Sequence, residues 1–70
     1  MTICKTIKEK WASPICRYCM MEVHYSSGKP CKYFIDKDIN GKRQKQIVMP
    51  VSRPIAEAVW KELEENDWKS

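Results

Sequence analysis

The most constraining feature of this chain is the dipeptide Asn40-Gly41, set between two runs of strand-forming residues. A two-residue type I′ turn needs positive φ at both central positions, and Asn-Gly supplies that at the least steric cost. A turn at 40–41 fixes the register of its arms: Asp38 faces Arg43, Asp36 faces Lys45 and Phe34 faces Ile47. Two opposite-charge pairs and one apolar pair on one face are what a correct antiparallel register produces. The sequence therefore predicts a hairpin with arms Cys31 to Ile39 and Lys42 to Val51.

Further elements follow on either side. Met20 to Tyr25 reads as a strand, joined to Cys31 by a turn over Ser26-Ser27-Gly28-Lys29-Pro30. A helix is predicted from Arg53 to Asn66, with Ser52 as cap, Pro54 in the first turn and Asn66 as the stop. Ile55, Ala56, Val59, Trp60 and Leu63 form its apolar stripe, and Glu57 and Lys61 can pair on its wet side. Met1 to Trp11 fits two patterns. Ile3, Ile7 and Trp11 recur at helical spacing, whereas their β-branched neighbours and alternation suit a strand. The expected class is α+β: a small antiparallel three-stranded sheet packed on a C-terminal helix, in a single domain spanning 1–70.

Seventy residues, 43% of them apolar, support only a small core, so a metal or another staple would help such a chain to fold. Cys4, Cys16, Cys19 and Cys31 are present without an apolar leader; Lys5, Lys8, Glu9 and Lys10 stand where one would lie. A cytoplasmic location is expected, no segment is apolar enough to span a membrane, and disulfides are disfavoured there. Cys16-x2-Cys19-x4-His24-x6-Cys31 has the residue types of a zinc knuckle, with Cys4 as an alternative fourth ligand. The alternative is a set of small buried thiols. A regular hairpin through 20–39 excludes the Cys16/Cys19/Cys31 site, because it separates Cys19 from Cys31 by roughly 20 Å at 3.3 Å per residue.

Charge is placed unevenly. Residues 29–53 hold Lys29, Lys32, Lys37, Lys42, Arg43, Lys45 and Arg53 against Asp36 and Asp38, net +5, while 54–70 carry −3. The expected activity is nucleic-acid binding through a basic hairpin, 29–48. Lys29, Lys32, Lys37, Lys42, Arg43 and Lys45 would contact phosphates. Tyr33, Gln44 and Gln46 would approach base edges if the open sheet face carries Tyr33, Ile35 and Lys37. The alternative is a protein-interaction module that docks on an acidic surface, with Trp11, Tyr18, Tyr25 and Trp68 as spare aromatics. With one His, no phosphate loop and no room for a pocket, an enzyme acting on a small-molecule substrate is not expected.

Lys32-Tyr33-Phe34, Asp38, Gly41-Lys42-Arg43-Gln44-Lys45, Ala56-Glu57-Ala58, Trp60 and Leu63-Glu64 resemble the arm-type DNA-binding domain of tyrosine recombinases, the integrases of phages and conjugative transposons. That resemblance implies a three-stranded sheet on a C-terminal helix, with the exposed face entering the major groove. A second one, through Pro14-Ile15-Cys16-Arg17-Tyr18-Cys19 and Ala56 with Trp60, is to small phage zinc-ribbon proteins of the restriction-alleviation type. Both imply mobile-element biology in a bacterial host cell. In that setting, the interaction module would be an inhibitor of a host nucleic-acid enzyme or defence system.

Overall fold

A computed structural model describes residues 2–69; Met1 and Ser70, at the ends of the expected domain, lie outside them. Four strands and a helix follow in order: β1 Thr2–Trp11, β2 Cys16–Tyr25, β3 Lys32–Ile39, β4 Lys42–Val51 and α1 Arg53–Glu65. The strands form one antiparallel meander in the order β1-β2-β3-β4. The sheet thus has four strands rather than the expected three. The ambiguous N-terminal segment is a strand, because β2 from Arg17 to Tyr25 offers it a full ladder, from Thr2 opposite Tyr25 to Trp11 opposite Arg17. No helix among the described residues is long and apolar enough to cross a membrane.

The turn at 40–41 forms as its residues require, with φ of 53° at Asn40 and 80° at Gly41. Ile39 lies opposite Lys42 and Asp38 opposite Arg43, as expected. Beyond them irregularities shift the ladder, so that Asp36 faces Gln46 rather than Lys45, and Ile35 faces Val48. Between β1 and β2, Thr6 faces Met21 and Lys8 faces Met20, which leaves Ile7 as the extra residue of a bulge. The bulge reverses the side-chain alternation. Ile7 packs against the core, while Trp11, which helical spacing would place beside it, stands half exposed on the opposite face.

Tyr18, Met20, Tyr33 and Ile35 form the covered face of the sheet, and Ala56, Trp60 and Leu63 pack on it from α1. Ile55, expected in that stripe, is exposed. Pro54 sits in the first turn; Ser52 is the extended N-cap, and its carbonyl accepts a bond from Ala56 N–H at 3.1 Å, although its hydroxyl does not cap. Glu57 pairs with Lys8 at 2.7 Å and Arg53 at 3.6 Å rather than with Lys61, and so ties α1 to β1. Past the helix, Asn66 N–H bonds Glu62 O at 3.0 Å and Trp68 N–H bonds Leu63 O at 2.7 Å. Asp67 and Trp68 adopt left-handed φ of 55° and 60°. That conformation returns the Trp68 ring to Tyr18 (centroids 5.2 Å) and Trp60 (4.9 Å) and closes one end of the core.

Candidate functional site

In a four-stranded meander the β1–β2 and β3–β4 turns lie at the same end of the sheet. Asn40 N–H donates to Ile15 O at 2.9 Å and joins them directly. The β1–β2 turn is built on Ser13, whose hydroxyl accepts bonds from Ile15 N–H (3.3 Å) and Cys16 N–H (3.1 Å). One rung crosses all four strands just inside this end: Lys10 opposite Tyr18, Tyr18 opposite Lys37, Lys37 opposite Lys45. Directly opposed residues share a face, so three lysines stand on the face that carries Tyr18. Lys42 lies on the next row, opposite Ile39. Lys37 Nζ lies 5.7 Å from the Tyr18 ring centroid, within the range of a cation–π contact. Among the described residues, Lys10, Lys42 and Lys45 form no ion pair.

The opposite face of the same end is charge-balanced. Arg17 bonds Asp38 at 2.8 Å and Glu9 at 3.3 Å, and its guanidinium lies 5.6 Å from the ring of Trp11. The Asp38 hydrogen bond holds the Arg17 guanidinium more firmly protonated. Arg43 Nε lies 3.1 Å from Asp36 Oδ2. Asp36 is buried with Oδ1 unpartnered, and this desolvation raises its carboxyl pKa against the pull of Arg43. Cys19, across from it, is also buried, and its thiol is pushed up for the same reason.

These positions divide the expected phosphate-binding set. Lys37, Lys42, Arg43 and Lys45 gather at the turn end, and Gln44 and Gln46 are exposed beside them. Lys29 and Lys32 lie toward the other end, with Lys32 five residues and roughly 17 Å along β3 from Lys37. Tyr33 does not join any of them. Tyr33, Ile35 and Lys37 point to the helix side; Tyr33 is 8% exposed, donates to Glu22 Oε2 at 2.7 Å and has the Arg53 guanidinium 5.6 Å from its ring. Lys10 joins the rung without a local sequence signal, since its place there depends on the bulge at Ile7.

The expected zinc knuckle is not assembled. Cys16-Arg17-Tyr18-Cys19 is strand, and a separation of three along a strand sends Cys16 and Cys19 to opposite faces. Cys19 pairs with Asp36, about five residues from Cys31 along β3. Cys4 faces Val23, on the side away from the helix. Only His24 and Cys31 of the expected ligands meet, with Cys31 Sγ 3.3 Å from His24 Nδ1. Glu22, two residues before His24 and on its face, completes the group, with Oε1 2.5 Å from His24 Nε2. One donor atom from each of Glu22, His24 and Cys31 lies within 4.8 Å of the others, so the group could hold a metal ion. The Tyr33 and His24 hydrogen bonds lower the Glu22 carboxyl pKa, and the same bond raises that of the Tyr33 phenol. Glu22 was legible in principle, since i and i+2 share a strand face and the β2–β3 pairing sets Cys31 beside His24.

No family model matches the chain, and no curated protein or solved structure is detectably similar to it.

Proposed function

We propose that this protein is a small nucleic-acid-binding module, of the kind carried by phages and other mobile elements, that takes a phosphate backbone at its turn end. The observation that carries this reading is the rung Lys10–Tyr18–Lys37–Lys45, with Lys42 one row beyond. Like charges directly opposed on neighbouring strands, as Lys37 and Lys45 are, repel each other and weaken the sheet. A polyanion laid along the row turns that repulsion into attraction and releases its own counterions. The half-exposed Trp11, on the other face of the same end with Arg17 against it, offers a stacking surface for an unpaired base that reaches round the edge strand. The opposite sheet face supports the contact less well, because Asp36 and Asp38 already hold Arg43 and Arg17 there. Zinc, on this reading, belongs to the far end of the sheet and takes no part in the contact.

Fluorescence anisotropy with labelled single-stranded and duplex DNA tests the reading. The double variant Lys42→Gln/Lys45→Gln is expected to weaken binding about tenfold at low salt, through the loss of two phosphate contacts. Lys29→Gln/Lys32→Gln, altered toward the far end, is expected to bind within about twofold of the parent. Equal losses from the two pairs would remove the turn end as the site. Equally tight binding of polyglutamate would favour an acidic protein surface instead.

A further inference from the structure

We infer that Glu22, His24 and Cys31 form a binding site for one zinc-class divalent ion, which clamps the β2–β3 end of the sheet. Thiolate, imidazole and carboxylate are the three protein donor types that zinc takes. In a tetrahedral shell with Zn–S near 2.3 Å and Zn–N near 2.05 Å, sulfur and nitrogen stand about 3.6 Å apart. Cys31 Sγ and His24 Nδ1 are already 3.3 Å apart, and a donor from each of the three residues lies within 4.8 Å of the others. An ion takes one nitrogen of the ring, and Cys31 stands at Nδ1 while Glu22 stands at Nε2. Gathering all three therefore requires the Glu22 side chain to leave Nε2 and turn toward the Nδ1 side.

The backbone makes this proximity durable. Glu22 and His24 lie two apart on β2 and so share a face, and the ladder sets Val23 opposite Lys32, which brings Cys31 beside His24. The Tyr33 hydroxyl bonds Glu22 Oε2 at 2.7 Å and orients the carboxylate, as the outer partner of a metal ligand does. Binding expels the Cys31 thiol proton to solvent, while the neutral imidazole keeps one proton on the ring nitrogen that does not meet the ion. Three protein donors leave a fourth position for water or an outside ligand. The ion would link residues 24 and 31 across the 26–30 turn, the kind of staple from which a chain of this length gains most. Metal binding here and polyanion binding at the other end use different residues, so either can fail without the other.

Native mass spectrometry of the full chain with zinc chloride tests the site, together with thermal melts and the visible spectrum of the cobalt(II) form. One ion per chain is expected, with a melting temperature raised by ~15 °C at a hundredfold excess over Kd. The cobalt spectrum should have the intensity of a four-coordinate thiolate-bearing site. Cys31→Ser, His24→Gln and Glu22→Gln should each weaken the ion at least tenfold, while Cys4→Ser, Cys16→Ser and Cys19→Ser should leave affinity unchanged. Circular dichroism of each variant separates loss of the ion from loss of the fold; His24 is exposed, so its variant is the one expected to fold best. An absent ion, an ion retained in both Cys31→Ser and His24→Gln, or an ion lost on Cys16→Ser would overturn the assignment.

Discussion

Trp68 lies beyond the helix, yet it closes the core, and Trp68→Ala measures what that closure contributes. Its ring meets two aromatic partners, Tyr18 at 5.2 Å and Trp60 at 4.9 Å, the second pair edge-on. Each such pair adds about 0.5–1.5 kcal/mol beyond the area it buries. Full removal of a buried Trp costs about 3–5 kcal/mol, and Trp68 is only partly buried, so about 2–3 kcal/mol is expected for the substitution. A domain of this size has about 4–10 kcal/mol in total. The loss should therefore lower the melting temperature by about 10–20 °C. Two left-handed residues, Asp67 and Trp68, stand against this gain; the ring contacts and the Tyr18 hydroxyl bond to Trp68 O (2.8 Å) join the backbone bonds from Asp67 N–H to Glu64 O (3.0 Å) and from Trp68 N–H to Leu63 O (2.7 Å) in holding them there. Asp67→Gly, which adopts such a φ freely, serves as the control and should change stability by less than about 1 kcal/mol. Urea unfolding followed by far-ultraviolet circular dichroism reads both variants without relying on tryptophan emission. A cost below about 0.5 kcal/mol for Trp68→Ala would refute the reasoning, because two ring contacts could not then be closing a core.

Two ionisable groups should respond to acid in opposite senses. Asp36, raised by burial, binds its proton more readily when folded, so stability should increase as pH falls through its folded pKa toward the ordinary aspartate value of about 3.9. Asp36→Asn should abolish that increase in urea midpoints measured from pH 7 to pH 4; an unchanged profile would assign it elsewhere. Glu57, lowered chiefly by the Lys8 hydrogen bond, contributes stability that is complete above the ordinary glutamate value of about 4.3 and is lost as pH falls through its folded pKa. Both partners are 36% exposed, so Glu57→Gln should cost only about 0.5 kcal/mol at pH 7, and high salt should erase the difference.

Local chemistry made the strongest elements legible. Asn40-Gly41 specifies its turn whatever surrounds it, and Pro54 with the Ala56, Trp60 and Leu63 spacing specifies the helix and its buried side. Ile3 and Ile7 do not decide the β1 strand, because the sequence pattern of their segment suits both structures; the decision belongs to the pairing with β2, outside the segment itself. A metal turn at Cys16 and Cys19 and the beginning of β2 compete for the same residues, and the strand prevails with Tyr18 between them among the most buried side chains of the protein. Bulges account for most of what remained. The extra residue at Ile7 moves Trp11 to the other face and puts Lys10 on the Tyr18 rung, and the shift between Asp38 and Lys37 exchanges Lys45 for Gln46 opposite Asp36. A single inserted residue reverses every later side chain, and composition carries no mark of it.

The central claim, that the turn end holds a phosphate backbone through Lys10, Lys37, Lys42 and Lys45, is tested most directly by the salt dependence of DNA binding. Four contacts predict that log K falls against log salt with a slope of about −2.8 on a single strand and about −3.6 on duplex. Lys42→Gln/Lys45→Gln should flatten the single-strand slope by about 1.4. An affinity independent of salt, or a slope that the double variant leaves unchanged, would contradict the account.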